Sequence, residues 1–259
     1  MTDSPAPRKF TRADGETIAW LADEPQEGTG KATGALWLGG FKSDMTGTKA
    51  EALGAWARRA GRRLVRFDYF GHGQSSGRFT DGTIGRWIGD ALSVLDELTE
   101  GPQILVGSSM GGWITLHLAL ARPERVRAIV LVAPAPDFTE SLMWANFSPE
   151  IRETLRRDGL YAEPSDYGEP YEITLRLIEE GRNHLLLDGP INLAMPVRIL
   201  QGMKDADVPW RHALRLVEAL SGDDVTLTLI RSGDHRLSTA GDIARLEREI
   251  EAVLAEVEA

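Results

Sequence analysis

There is no cysteine among these 259 residues, which excludes disulfides, thiolate metal sites and a cysteine nucleophile at once. No run approaches the ~18 apolar residues that a membrane-spanning helix needs. The opening, Met1-Thr2-Asp3-Ser4-Pro5-Ala6-Pro7, is polar and has no hydrophobic signal core, so a cytoplasmic protein without an integral membrane segment is expected. Basic residues are the minority, 29 Lys and Arg against 39 Asp and Glu, giving a formal net charge of −10. Such a surface repels phosphate backbones and anionic lipid, so no nucleic acid partner is expected. Metal-ligand spacing is missing as well: five histidines are scattered and no His-Glu-x-x-His occurs. Neither a metal nor a cofactor is expected. Internal repeats and low-complexity linkers are also lacking, and 42% hydrophobic content over 259 residues suits one domain, residues 1–259.

What is present is an alternation of strand-like and helix-like runs. Thr17–Leu21, Ala35–Leu38, Leu64–Phe67, Gln103–Val106 and Val126–Val132 read as strands, the last a β-branched run of the kind buried on both faces. Helices are expected around Lys49–Ala60, over Thr83–Leu98 and over Met110–Ala121. The rhythm breaks between about Asp137 and Asn192, where Trp144, Phe147, Tyr161, Tyr167 and Tyr171 gather with prolines at 149, 164 and 170. This stretch, 137–192, reads as an inserted cap with one amphipathic helix near Glu172–Leu186. The rhythm then resumes with strand Val197–Leu200, helix Trp210–Leu220 and strand Val225–Ile230. A last helix starts near Ala240, its stripe of Ile243, Leu246, Ile250, Val253, Leu254 and Val257 expected to dock on the sheet. Alternation of this kind implies an α/β fold with a mostly parallel sheet and helices on both faces.

Val106-Gly107-Ser108-Ser109-Met110-Gly111-Gly112 is the most informative stretch. Gly107 and Gly111 flank Ser109 as Gly-x-Ser-x-Gly, between a strand and a helix, which is the setting of a nucleophile elbow. A turn lifting a serine from strand directly into helix brings backbone segments too close for a Cβ, so glycine is needed on both sides. Ser108 cannot serve, because Val106 stands two residues before it.

A serine hydroxyl does not ionise unaided, so it needs a base, and the base needs an orienting acid. Of the five histidines only His235, in Ser232-Gly233-Asp234-His235-Arg236, falls in the loop between the last strand and the last helix. His72 reads as structural, in the tight turn Asp68-Tyr69-Phe70-Gly71-His72-Gly73. Three carboxylates compete as the acid: Asp205 and Asp207 after the strand Val197–Leu200, and Asp137 after Val126–Val132. The oxyanion hole should use backbone amides, the N–H of Met110 and that of Phe41 in Leu38-Gly39-Gly40-Phe41. Gly39-Gly40-Phe41-Lys42-Ser43 is not a Walker loop, since Phe41 stands where glycine must precede the lysine.

With these residues assembled, the chain resembles an α/β-hydrolase, and is most similar to the abhydrolase-domain-containing protein ten family of palmitoyl-protein thioesterases and acyl-glucuronide esterases. The similar segments are Gly40-Phe41-Lys42-Ser43-Asp44-Met45-Thr46-Gly47-Thr48-Lys49, Arg66-Phe67-Asp68-Tyr69, Gly101 to Ser109, Gly202-Met203-Lys204-Asp205 with Val208-Pro209-Trp210, and Asp234-His235-Arg236. The resemblance puts nucleophile, acid and base on Ser109, Asp205 and His235. Asp205 also fits the Gly-x-x-Asp-x-x-Val-Pro spacing of such hydrolases. It implies cofactor-free hydrolysis of thioesters or activated esters, with a small-molecule or acylated substrate. No targeting extension precedes Arg8, so a mitochondrial address is not expected to carry over. The same fold also serves peptidases, for which Glu179-Glu180 could anchor an amine, and carbon–carbon hydrolases. A non-catalytic ligand-binding protein is the alternative from another class.

Overall fold

Short β-branched runs and longer amphipathic ones order the chain from its first described residue. The computed structural model describes residues 6–25, 33–164 and 170–259; Met1–Pro5 and Tyr167 lie outside them. The first half carries β1 (Arg8–Thr11), β2 (Thr17–Asp23), β3 (Gly34–Leu38), α1 (Thr48–Ala60), β4 (Leu64–Phe67), α2 (Ile84–Leu98), β5 (Gln103–Ser108), α3 (Met110–Ala121) and β6 (Val126–Val132). Between β6 and the next sheet strand lie α4 (Pro149–Asp158), β7 (Leu160–Glu163), β8 (Tyr171–Thr174) and α5 (Leu175–Gly181). Then follow β9 (Val197–Gly202), α6 (Trp210–Ala219), β10 (Val225–Ile230) and α7 (Ala240–Val257).

Eight strands form one sheet in the order β1-β2-β4-β3-β5-β6-β9-β10. The β1–β2 and β2–β4 pairings are antiparallel and the rest are parallel. Side chains alternate across the strands, so β5 sends Leu105 into one apolar cluster and Ile104 and Val106 into the other. Helices α2, α3 and α6 cover the first face, with Trp87, Trp113 and Leu216 in its core; α1 and α7 cover the second, with Trp56 and Ile250. This is the α/β-hydrolase fold, with both faces buried, as the continuous apolar strands imply. The stripe on α7 docks as expected through Leu246, Ile250, Val253 and Leu254, and Thr239 and Asp242 close its first turn as a capping box.

Two differences from the sequence reading have physical causes. Strand β1 has no counterpart in it, because Arg8-Lys9-Phe10-Thr11 carries charge rather than an apolar run. It is an edge strand, where exposed charge deters pairing with another chain. The helix expected over Glu172–Leu186 is instead strand β8, the short α5 and a 3₁₀ turn, Arg182–His184. Thr174 accepts the Leu177 N–H and caps the helix, so its first turn cannot begin earlier.

The segment between β6 and β9 has its own small core of Phe147, Leu155, Ile173 and Ile178. Asp137, buried where this segment begins, accepts the N–H groups of Leu186 and Leu187 at 2.9 and 2.8 Å where it returns.

Candidate active site

The sheet changes direction at β5, whose chain neighbours lie on opposite sides of it, and the ends of such strands form a crevice. Ser109 stands there, one residue past β5, with φ 54° and ψ −120°. A non-glycine residue in that region costs about 1–3 kcal/mol and persists only when its surroundings fix it. Here the Ser109 N–H donates to Val132 O at 2.9 Å, and its carbonyl accepts the N–H groups of Gly112 at 2.8 Å and Ala135 at 3.1 Å. A Cβ on Gly111 would overlap the carbonyl oxygens of Leu38 and Gly39, and one on Gly107 would overlap Thr115 Oγ1 and Gly111 O. Both glycines are required by close approach, the reason the elbow reading gave for them.

Asp205 lies in the turn after β9 with its side chain fully buried. Its Oδ1 accepts the N–H groups of Asp207 at 3.0 Å and Val208 at 2.7 Å. Its Oδ2 accepts from Gln201 Nε2 at 3.0 Å and from His235 Nδ1 at 2.8 Å. Bonds of this kind fix the orientation of a carboxylate. Since Nδ1 donates to a carboxylate, Nε2 of the neutral imidazole is the acceptor, and it lies 3.1 Å from Ser109 Oγ. Of the three carboxylates weighed, Asp137 is spent on the amides of Leu186 and Leu187, and Asp205 is hydrogen-bonded to His235.

Two further residues hold this arrangement, and the sequence reading missed both. Gln201 is buried, and its Nε2 also donates to Val208 O at 3.0 Å, bracing the Asp205 turn. A lone amide in the apolar strand Val-Arg-Ile-Leu-Gln-Gly is the signal that could have found it. Lys49, in the first turn of α1, donates to Arg236 O beside His235; burial pushes its ammonium down to about 8. Its position gives no such signal. Gly202 completes the setting, because a Cβ there would overlap the carbonyls of Gly233 and Asp234.

The turn after β3 passes against the elbow: a Cβ on Gly40 would lie 3.4 Å from Ser109 Cβ. Phe41 follows, and Met110 opens α3, whose first-turn amides have no helical acceptor. Neither the Phe41 nor the Met110 N–H has an acceptor among the described residues. The Phe41 ring meets those of Phe79, Trp87, Phe138 and Tyr171 at centroid distances of 4.9, 5.9, 5.6 and 5.8 Å. Lys42 Nζ reaches Pro170 O at 2.7 Å, so β8 and its approach lean on the same turn.

Three of the four remaining histidines are tied to backbone. His72 is buried, contacts Phe70 O through Nδ1 at 3.1 Å, and is pushed down to about 4 by burial. His117 donates to His184 O at 2.9 Å and is likewise pushed down to about 4; His212 donates to Pro136 O at 2.7 Å. Glu180 is occupied too, its carboxylate taking the Gly85 N–H at 3.1 and 3.2 Å and His184 Nε2 at 2.7 Å, so Glu179 and Glu180 are not both free to anchor an amine. Asp205, Asp207 and His235 bring donor atoms within 4.8 Å of one another, the nearest approach to a metal cluster among the described residues. Within that cluster Nδ1 of the imidazole is bonded to Asp205, and Nε2 faces Ser109 Oγ. No helix among the described residues is long and apolar enough to cross a membrane.

Comparison with known proteins agrees with this architecture. The family model for the alpha/beta hydrolase fold matches residues 50–161. The human protein "Palmitoyl-protein thioesterase ABHD10, mitochondrial" is 39% identical over 227 residues, covering 87% of this chain and 74% of that protein. Among solved structures, one from Agrobacterium vitis S4 superposes with a TM-score of 0.91 at 45% identity, over 97% of this chain and 99% of that one. Alpha/beta hydrolase domain-containing protein 10 from mouse superposes with a TM-score of 0.89 at 36% identity, over 97% of this chain and 99% of that one.

Proposed function

This chain belongs to the α/β-hydrolase family that includes the palmitoyl-protein thioesterase ABHD10, and from that membership we propose that it is a serine hydrolase of thioesters and carboxylic esters. Ser109 is the nucleophile, His235 the base and Asp205 the orienting acid. One observation carries this reading: the unbroken contact from Asp205 Oδ2 through the imidazole to Ser109 Oγ, at 2.8 and 3.1 Å.

As Ser109 Oγ attacks the acyl carbon, His235 Nε2 takes the hydroxyl proton and the carbonyl oxygen becomes an oxyanion. The amides of Phe41 and Met110 receive that charge, aided by the N-terminal dipole of α3. Collapse expels the thiol or alcohol, protonated by His235, and leaves an acyl-enzyme. Water, deprotonated by the same imidazole, repeats the sequence and releases the carboxylic acid. Asp205 steadies the imidazolium in both halves without itself taking the proton. Residues 137–192 serve as a cap that shapes the acyl site, a role supported by the packing of Tyr171 on Phe41.

Ser109→Ala tests the reading. Turnover of p-nitrophenyl esters and of thioesters graded by chain length should fall at least about 10⁴-fold, with unchanged melting temperature and no labelling by a fluorophosphonate probe. Parental turnover in that variant would refute it.

A further inference from the structure

The turn that presents the Phe41 amide contains a residue in an unfavourable conformation. Lys42 has φ 55°, in the left-handed region that favours glycine. Ser43 N–H closes the turn on Gly40 O at 3.2 Å, with Lys42 third of the four residues. Phe41 is not among the residues of positive φ, so the turn is of the type II class, whose third position favours glycine. For lysine, rotation of the Phe41–Lys42 peptide into the type I form is the easier state. Something must hold that peptide in place.

His72 is the group positioned to do so. Its Nδ1 faces Phe70 O at 3.1 Å, and a carbonyl can only accept, so Nδ1 carries the hydrogen. Nε2 is then bare, and it lies 3.1 Å from the Lys42 N–H, which can only donate. The ring is 4% exposed and sits edge-on to Tyr69, Phe79 and Trp87 at 5.7, 5.1 and 5.2 Å. Packing alone would be met by phenylalanine; the imidazole adds an acceptor aimed at one amide. Burial that pushes it down to about 4 keeps that acceptor bare at neutral pH.

The two peptides that flank Phe41 are thus anchored separately. In the planar Gly40–Phe41 peptide the N–H of Phe41 points opposite the Gly40 carbonyl. That carbonyl is drawn to Ser43, by its N–H and by its Oγ at 2.8 Å. The Phe41–Lys42 peptide is drawn to His72. With both planes fixed, the donor is oriented before charge develops on the substrate, which is where oxyanion stabilisation gains its strength. We propose that His72 is a positioning residue of the oxyanion hole, holding the Phe41–Lys42 peptide so that the Phe41 amide faces the oxygen bound beside Ser109. The proposal rests on the serine-hydrolase reading above and adds a residue to it.

The test compares His72→Phe, which keeps the packing, with His72→Gln, which can return an acceptor to the Lys42 N–H. His72→Phe should lower kcat about 10- to 50-fold, less than the ~10²–10³ typical of deleting a donor outright, with KM within about twofold of the parent. Affinity for an alkylboronic acid, which mimics the tetrahedral oxyanion, should fall in parallel. His72→Gln should recover most of both. In the His72→Phe background Lys42→Gly should also recover part of kcat, because glycine adopts the turn unaided. Equal kcat and boronate affinity in His72→Phe and the parent would overturn the proposal, as would a loss confined to KM. If His72→Phe does not fold, ¹⁵N NMR of the parent protein decides: a hydrogen on His72 Nε2 at neutral pH would overturn the proposal, and a bare Nε2 with a downfield Lys42 amide is expected. The Ser109→Ala control separates the two claims, since turnover surviving in that variant sinks the hydrolase reading whatever His72 does.

Discussion

The sheet and the segment between β6 and β9 combine apolar packing and polar clamps in different proportions. Within the sheet, β5 and β6 are walled by apolar side chains on both faces, and α3 is buried nearly all round. Among the described residues, the segment from 137 to 192 has a small cluster of its own, Phe147, Leu155, Ile173 and Ile178, joins the main core through Phe138, Leu177 and Ile191, and is tied down further by polar clamps. Asp137 takes two amides across it, Glu180 takes the Gly85 N–H at the start of α2, and Trp113 Nε1 and His117 Nε2 both donate to His184 O. Ser109, Asp205 and His235 all stand on the sheet side of this divide. A reaction that fails when atoms are displaced by an ångström needs the stiffer part, whereas substrate choice can be entrusted to the part held by a few replaceable contacts.

The largest effects should therefore come from the sheet side. Asp205→Asn keeps the shape of the turn but offers His235 an amide that can stabilise the wrong tautomer, so kcat should drop about 10³–10⁴-fold. Steady-state thioester hydrolysis measures it, and a loss under tenfold would remove Asp205 from the mechanism. Gly111→Ala comes next. Its Cβ would press into the backbone oxygens of Leu38 and Gly39, which cannot yield as a flexible side chain could, and a cost of more than about 3 kcal/mol in urea unfolding is expected. Gly159 on the other side, with φ 75° and open space around it, should accept alanine for about 1 kcal/mol.

That contrast also explains how much the sequence revealed. Strands β4, β6 and β10 and helix α3 fall on the residues expected, because burial on one or two faces writes a local period into the chain. Ser109, His235 and Asp205 could be picked out because glycines must stand where backbones nearly touch, and because each residue follows a strand of readable pattern. Asp137 drew attention for its place after a strand, yet its clamp on Leu186 and Leu187 spans about fifty positions and leaves no periodic trace. The helix expected over Glu172–Leu186 shows the same gap. Its spacing suits a helix, but the pairing of β8 with β7 and the Thr174 cap set the outcome. His72 and Lys49 act through backbone groups far along the chain, and a sequence holds no mark of such a partner.

Acidification should weaken both regions through one mechanism. His72 on the sheet side and His117 beneath the segment are each pushed from 6.5 down to about 4 by burial. Between those values the unfolded chain binds more protons than the folded one, so stability is complete above pH 6.5 and is lost as pH falls toward 4. Asp68, Asp90 and Asp137, raised by burial, bind protons better when folded and oppose the trend at the acid end. Between about pH 6.5 and pH 5 each imidazole should remove about 2 kcal/mol. His212 is lowered by burial too and adds to the slope, so His117→Gln, which can still donate to His184 O, should reduce it by about a third to a half in urea titrations at several pH values. An unchanged slope would exclude His117 as a source.

The smallest effect separates the two regions most directly. Asp137 has φ 58°, a conformation that asparagine also tolerates, so Asp137→Asn leaves the backbone unstrained. It replaces one accepting oxygen by an NH₂ group that faces the amide of Leu186 or Leu187, at a cost of about 1–2 kcal/mol. If 137–192 shapes the acyl site without contributing to the chemistry, the rate of Ser109 labelling by a small fluorophosphonate should stay within about twofold of the parent. KM for long-chain thioesters should rise several-fold while that for acetyl thioesters holds, because only a long acyl chain would reach the loosened segment. A uniform loss over all chain lengths would show instead that the clamp transmits to the elbow. The division between a stiff reactive edge and an adjustable cover would then be wrong, since Asp137 begins only five residues after β6 and the elbow's own brace, Ser109 N–H to Val132 O, ends on that strand.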